Sequence, residues 1–260
     1  LAFQKATQIR ERKTRKQQKP SGRACEWGVM FEDVCKQVYE HVCKGAVVEE
    51  FGLLSHPDYP FIGASPDGIC NEKSTDEYVG RLVEFKAPFS RQLKKDTVPE
   101  EYLAQIQGQL EVTQLDCCDY LECAFKTESR TEALLRQSTN NKKHIQGFII
   151  QPYTSTGQKN YIYSPLNDIT DSTLTTCLTT HHYTLDDVHI TYWYMYDYQK
   201  ILVYRNHEWF ANQLFPQLQT TFDMLSKFIQ HDEEYQIEFE KRQKKKKSKV
   251  QKVECLFRNG

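Results

Sequence analysis

Between Arg23 and Lys44 the apolar positions Trp27, Met30, Phe31, Val34, Val38 and Val42 recur at intervals of three and four. That spacing places them on one side of a helix, and Gly45 predicts its stop. The rhythm then shortens. Ala46 to Leu54 reads as a strand, His56-Pro57-Asp58-Tyr59-Pro60 as a turn, and Phe61 to Ala64 as a second strand running into Ser65-Pro66-Asp67-Gly68. The polar stretch Asn71 to Asp76 reads as a hairpin loop. Beyond it, Arg81 to Lys86 alternates as a strand does, with Leu82, Glu84 and Lys86 on one face. Thr97 with Glu100 three residues later, and Pro99 between them, has the form of a capping box opening a helix that runs to about Leu115. Further strands are expected at Tyr120 to Lys126, Ile145 to Pro152 and Ile190 to Tyr204. A closing helix is expected from near Asn206 to about Lys241, kinked or interrupted at Pro216. Helix, strands, helix, strands, helix predicts an α/β, or mixed α+β, fold: a central mixed sheet flanked by helices.

Composition sets the scale. A chain of 260 residues with 39% hydrophobic content can bury one sizeable core. The expected organisation is a basic segment over 1–22, one domain over 23–240 and a basic tail over 241–260. There is no apolar run of about 18 residues, and the first residues are polar and basic rather than a secretion signal, so an intracellular protein with no membrane contact is expected. Nine cysteines, an odd count without a CxxC pair or zinc spacing, read as reduced thiols. The chain starts without methionine, which leaves room for an upstream segment.

The net charge of -1 conceals a strong asymmetry. Lys5, Arg10, Arg12, Lys13, Arg15, Lys16, Lys19 and Arg23 face only Glu11 in the first stretch. Lys241, Arg242, Lys244 to Lys247, Lys249, Lys252 and Arg258 form a second basic block. Basic ends suit a polyanion, because lysine and arginine gain by displacing condensed counterions. For Lys244 to Lys247 a solvated tail is an equally good reading.

The chemistry concentrates near Asp67 and Glu84. Glu84 and Lys86 leave the same face of a strand that otherwise looks buried, and from that spacing alone a structural ion pair or a solvent-facing strand explains them as well. Asp67 changes the balance. Proline and glycine around it force a tight bend that projects the acid from a strand end, and a hairpin of this length returns Glu84 beside it. Two adjacent carboxylates repel unless a cation lies between them, and hard oxygen ligands suit Mg²⁺ or Mn²⁺. A lysine beside such a pair can orient or help deprotonate a water, or stabilise charge on a phosphate. Glu32, beside Phe31 and four residues after Gly28, is a candidate further ligand; taken alone it reads as a surface glutamate.

Four segments in order then resemble the phage lambda exonuclease-like group of viral recombination nucleases within the PD-(D/E)XK superfamily. They are Gly28 with Glu32, Ser65-Pro66-Asp67-Gly68, Glu84-Phe85-Lys86-Ala87-Pro88-Phe89-Ser90-Arg91, and Tyr102-Leu103-Ala104-Gln105-Ile106-Gln107. The resemblance spans about Arg23 to Leu115 and implies a restriction-endonuclease-like core and a source among large DNA viruses. It implies that Asp67, Glu84 and the carbonyl of Phe85 hold a metal, with Glu32 reaching a second ion through water. Lys86 becomes the catalytic lysine, and Gln105 positions it or the attacking water. Ser65 touches a terminal 5′-phosphate, and Arg91 and Tyr102 line the DNA path. The implied activity is Mg²⁺-dependent digestion of one strand of linear duplex DNA from its 5′ end, in the host cytoplasm or nucleus. The tail left behind would pass to a single-strand annealing protein, and the assembly would be a trimer. An endonuclease, an RNA-degrading nuclease and a silent nucleic-acid-binding module are the rival readings. Relatives place a further phosphate-binding segment before the first helix, which Leu1 to Pro20 does not resemble. Cys25 with Cys117, Cys118 and Cys123 does not reproduce the iron–sulfur arrangement of related nucleases.

Overall fold

The computed structural model describes residues 22–139, 144–153, 160–231 and 233–242. The chain divides into two compact units, one of Pro20–Asn206 and one that takes in the described residues from His207 onward. Both basic ends fall almost wholly outside the described residues.

In the first unit, helix α1 (Arg23–Val42) buries Phe31, Val34, Cys35, Val38 and Tyr39, the stripe its three-and-four spacing predicts. It ends where Cys43 N–H bonds Tyr39 O, two residues before Gly45. Gly45 has φ 94°, and a Cβ there would lie 2.6 Å from the Thr75 side chain, so the turn requires glycine. The α1 stripe packs on a seven-stranded mixed sheet. Its order is β1 (Val48–Glu49), β4 (Gly68–Cys70), β5 (Leu82–Lys86), β6 (Cys117–Glu128), β9 (Val188–Tyr204), β7 (Gln146–Pro152), β8 (Ile162–Tyr163). Among the described strands only β5 and β6 run parallel, and helix α2 (Glu100–Thr113) is the crossover between them. A separate ribbon pairs β2 (Leu54–Ser55) with β3 (Gly63–Ala64).

The sheet is covered differently on its two faces. On the α1 face, Phe31 stacks on Phe125 with centroids 4.5 Å apart and meets Trp193 edge-on. There the fully buried Asp119 accepts a 2.8 Å hydrogen bond from the Tyr39 hydroxyl and faces Arg81 and Lys200, each 3.3 Å away. On the other face, Ile106 and Leu110 of α2 join Leu82, Cys118, Tyr120 and Val203 in a second core. Alternation along β5 therefore sends Glu84 and Lys86 toward α2.

Several expectations are corrected. The strand expected over Ala46 to Leu54 is two short pieces, because Val48 pairs with Cys70 in the main sheet while Leu54 pairs with Ala64 in the ribbon. Thr97 does not cap α2: the N-cap is Pro99, and the Thr97 hydroxyl donates to Lys95 O. The chain is helical over His207–Trp209, passes through a π-helical turn at Phe210–Leu214 and continues into α5 (Phe215–Gln230), so the break expected at Pro216 takes the form of this π turn just ahead of it. The chain leaves the helical geometry at His231 and is helical again over 233–242. Two helices went unread: α3 (Arg130–Ser138) and α4 (Asp171–Thr180). The eight described cysteines are all free. No described helix is long and apolar enough to cross a membrane.

Candidate active site

β5 carries the centre of the site. Its residues Leu82 to Phe85 are buried and Lys86 lies at its end, where the strand opens into a cleft of about 360 Å³. α1 forms one wall with Ala24, Cys25, Gly28, Val29, Glu32 and Cys35, and Ala87, Pro88, Phe89 and Tyr102 form another. Gly28 leaves space there, since a Cβ on it would meet nothing within 4 Å. Trp27 holds the walls together, with Phe31 4.4 Å and Phe89 5.4 Å from its ring centroid.

Asp67 reaches this cleft by the hairpin the sequence implied, while the fully buried Glu84 lies outside its lining and meets it through Lys86. Gly68 pairs with Val83, which brings the preceding aspartate to the strand's end, and Asp67 Oδ2 accepts the Phe85 N–H at 2.6 Å. Gly68 is needed for this approach. A Cβ there would lie 2.3 Å from Val48 Cγ1 and 3.0 Å from Glu49 O, so Gly68→Ala is expected to cost about 1–3 kcal/mol of stability by overpacking. Thermal unfolding measures it, and an unchanged midpoint would mean that strands β1 and β4 yield freely.

Glu84 is fully buried and meets three donors. Lys86 Nζ and Gln105 Nε2 both approach Oε1, the amide at 2.7 Å, and Gln109 Nε2 donates to Oε2 at 2.8 Å. Lys86 Nζ also donates to Phe85 O at 3.2 Å and stands 5.0 Å from the centre of the Tyr102 ring. Lys86 is thus ion-paired with Glu84, the simpler role its spacing allowed, and it also lines the cleft. Burial works against its charge, but Glu84 and Asp67 outweigh burial, so its pKa lies above the ordinary lysine value and the ammonium form is favoured.

The acids carry the opposite imbalance. Burial, then the neighbouring Glu84, pushes the Asp67 carboxyl up to about 7 against the pull of Lys86 and the Phe85 N–H. Glu32 is raised as well, by loss of solvent first and then by Asp33. The residue as a whole is exposed, yet it lines the cleft and feels the charges of Lys86 and Glu84.

These residues fit a hard divalent cation in a limited way. Among the described residues no three His, Cys, Asp or Glu side chains gather as a ready-made metal cluster. The fit comes from two carboxylates plus a carbonyl: Glu84 Oε1 and Phe85 O already converge on one cationic atom, Lys86 Nζ, and Asp67 is bonded to the N–H of that same Phe85. Mg²⁺ is commonly held by one or two carboxylates and keeps several waters, so such a set suffices.

The other candidates are placed as follows. Tyr102 lines the cleft, with Arg91 stacked 5.8 Å from its ring centre. Arg91 is ion-paired with Glu122, a fully buried carboxylate that also accepts the Gln199 amide at 2.8 Å. Burial opposes the Arg91 charge and Glu122 more than restores it. Ser65 is exposed and stands outside the residues lining the cleft. Sequence reasoning missed Gln109 and Glu122. Gln109 follows Gln105 by four residues on one helix face, which is a readable signal. Glu122 sits among buried strand residues with no spacing to single it out.

Comparison with known proteins finds that residues 2–116 match the model of the YqaJ-like viral recombinase domain. An uncharacterized protein of Acanthamoeba polyphaga mimivirus is 42% identical over 101 residues, covering 35% of this chain and 18% of that protein. A protein of African swine fever virus is 31% identical over 146 residues, covering 46% of this chain and 41% of its own length. The chain thus spans less than half the length of these curated relatives. Among solved structures, an alkaline exonuclease from Laribacter hongkongensis overlaps 92% of this chain and 81% of its own, at 18% identity and a TM-score of 0.45. At that level the likeness carries no functional argument.

Proposed function

We propose that the cleft hydrolyses DNA phosphodiester bonds with a divalent cation, as a 5′-to-3′ exonuclease on linear duplex, a reading supported by the match of residues 2–116 to the model of the YqaJ-like viral recombinase domain. The observation that carries the reading is the convergence of Asp67, Glu84, the Phe85 carbonyl and Lys86 at the end of one strand. Asp67, Glu84 and Phe85 O are the groups to hold Mg²⁺ or Mn²⁺, with Glu32 reaching a second ion through water. A cation held there supplies Lewis acidity to a phosphoryl oxygen and acidifies a bound water.

The chain's own residues do the rest. Lys86, kept as an ammonium, faces the phosphate and offsets the charge that grows on it as water attacks. Gln105 holds Glu84 Oε1 from the helix side, so the carboxylate does not swing when its ammonium partner turns to substrate. Tyr102 offers a flat wall against which a sugar or base can lie, and Arg91 presents a guanidinium anchored by Glu122. Ser65, two residues before Asp67, donates to a terminal 5′-phosphate. In the cell this activity would prepare ends for a single-strand annealing protein during viral recombination, replication or repair, with the enzyme acting as a trimer.

Ends are the discriminating feature. Linear duplex bearing a 5′-phosphate is expected to be degraded faster than the 5′-hydroxyl form, and closed circles are expected to be spared. Ser65→Ala should chiefly narrow the ratio between the two linear substrates, while Arg91→Ala should weaken binding to both and lower its salt dependence. Comparable cutting of circular and linear duplex at every salt concentration would replace this reading with an endonuclease.

A further inference from the structure

Glycine weakens the interior of a helix because it has the most backbone freedom to lose, and Gly28 sits inside the 20-residue α1. Neither usual structural reason for a glycine applies to it. Its φ is not positive, unlike those of Gly45 and Gly80. Nor does a neighbour crowd it: a Cβ at Gly28 would meet nothing within 4 Å, whereas one at Gly68 would lie 2.3 Å from Val48 Cγ1. The bare position is not plain open surface either. Gly28 is half-buried and lines the cleft of about 360 Å³ together with Glu32, Asp67, Lys86 and Tyr102. At Gly28, α1 gives up helical stability, and what it gains is empty space inside the site.

What that space takes follows from what the walls offer. An interior helical residue spends its N–H and C=O on the helix ladder, so at Gly28 the wall presents backbone carbon and no hydrogen-bonding group. A phosphate is drawn to the Lys86 ammonium, and a base stacks on an aromatic ring such as Tyr102 in the other wall. The deoxyribose, largely C–H surface, is the part of a nucleotide that packs on carbon alone. We propose that Gly28 is a specificity-determining residue whose missing side chain seats the deoxyribose of the terminal nucleotide against the α1 backbone. The inference rests on the proposed hydrolysis of DNA in the cleft and adds which part of the strand α1 receives. A methyl group at this position then has two effects of opposite sign: it stabilises the free helix and obstructs the substrate.

The test is Gly28→Ala in the full chain, read by thermal unfolding without DNA and by kcat/KM on linear duplex with saturating Mg²⁺. The second measurement is repeated on a duplex whose 5′-terminal nucleotide is a stable abasic analogue, which keeps a sugar ring and lacks the base. The melting midpoint is expected to rise by about 2–4 °C, because alanine is the better helix former. At the same time kcat/KM is expected to fall by about tenfold, the scale of a methyl group forced into filled space, and by the same factor on both substrates. A lowered midpoint overturns the proposal, since the glycine would then serve packing within the protein. A raised midpoint with kcat/KM within about twofold of wild type also overturns it, since nothing would lie against α1 at that point. A penalty that disappears on the abasic end overturns the seat for the sugar and assigns the space to the base. Wild-type protein that leaves linear duplex intact in Mg²⁺ overturns the reading beneath the proposal as well, and that failure is visible before any variant is compared.

Discussion

Glu84→Gln is expected to lower hydrolysis of duplex DNA by about a thousandfold or more, several kcal/mol of barrier, while the protein stays folded. The substitution keeps the shape of a fully buried side chain and removes its charge. It removes an anionic ligand for the cation. It also turns one of two acceptors into a donor facing Gln105, Gln109 and Lys86, all of which already donate to this carboxylate. One donor is then left without its acceptor, at a cost of about 1–3 kcal/mol in stability. Activity under saturating Mg²⁺, read beside thermal unfolding, separates the two effects. A variant with wild-type rate and a lowered melting point would reduce Glu84 to a structural member of the α2 contact.

Lys86→Ala is expected to slow the chemical step by about a hundredfold or more and to leave most DNA binding intact, because its charge matters most where charge develops. Lys86→Arg should not restore the rate. The Lys86 ammonium fits between Glu84 Oε1, Phe85 O and the Tyr102 ring as a compact charge, and a planar guanidinium cannot take that place. Single-turnover rate and DNA affinity must be measured separately. A weakened affinity with an unchanged rate would make Lys86 a substrate contact only.

Much of this site was legible because short-range rules govern it. The α1 stripe from Phe31 to Tyr39 follows the three-and-four spacing, and alternation in β5 does put Glu84 and Lys86 on one face. The bend at Pro66-Asp67-Gly68 does return the aspartate to Phe85. What could not be read depends on partners distant in sequence. Arg91 is matched by Glu122, which in turn accepts from Gln199 across the pairing of β6 with β9. Asp119 is buried because Tyr39, Arg81 and Lys200 converge on it from three elements. Helix α4, rich in threonine, has weak helical propensity and is held by Leu174 and Leu178 in a core that also includes Phe148 and Ile150. By contrast, α3 carries a visible start, since Ser129 and Glu132 form a true capping box, whereas the same pattern at Thr97 and Glu100 caps nothing.

The central claim is that Asp67, Glu84 and Lys86 make one cation-dependent hydrolytic site. Its most direct measurement is a time course on end-labelled linear duplex, run for wild type and Asp67→Ala with Mg²⁺, with excess chelator, and with Mg²⁺ restored. The wild type should degrade the duplex, stop in chelator and resume, while Asp67→Ala, still folded, stays inactive throughout. Degradation that continues in chelator, or that Asp67→Ala performs at the wild-type rate, would contradict the account.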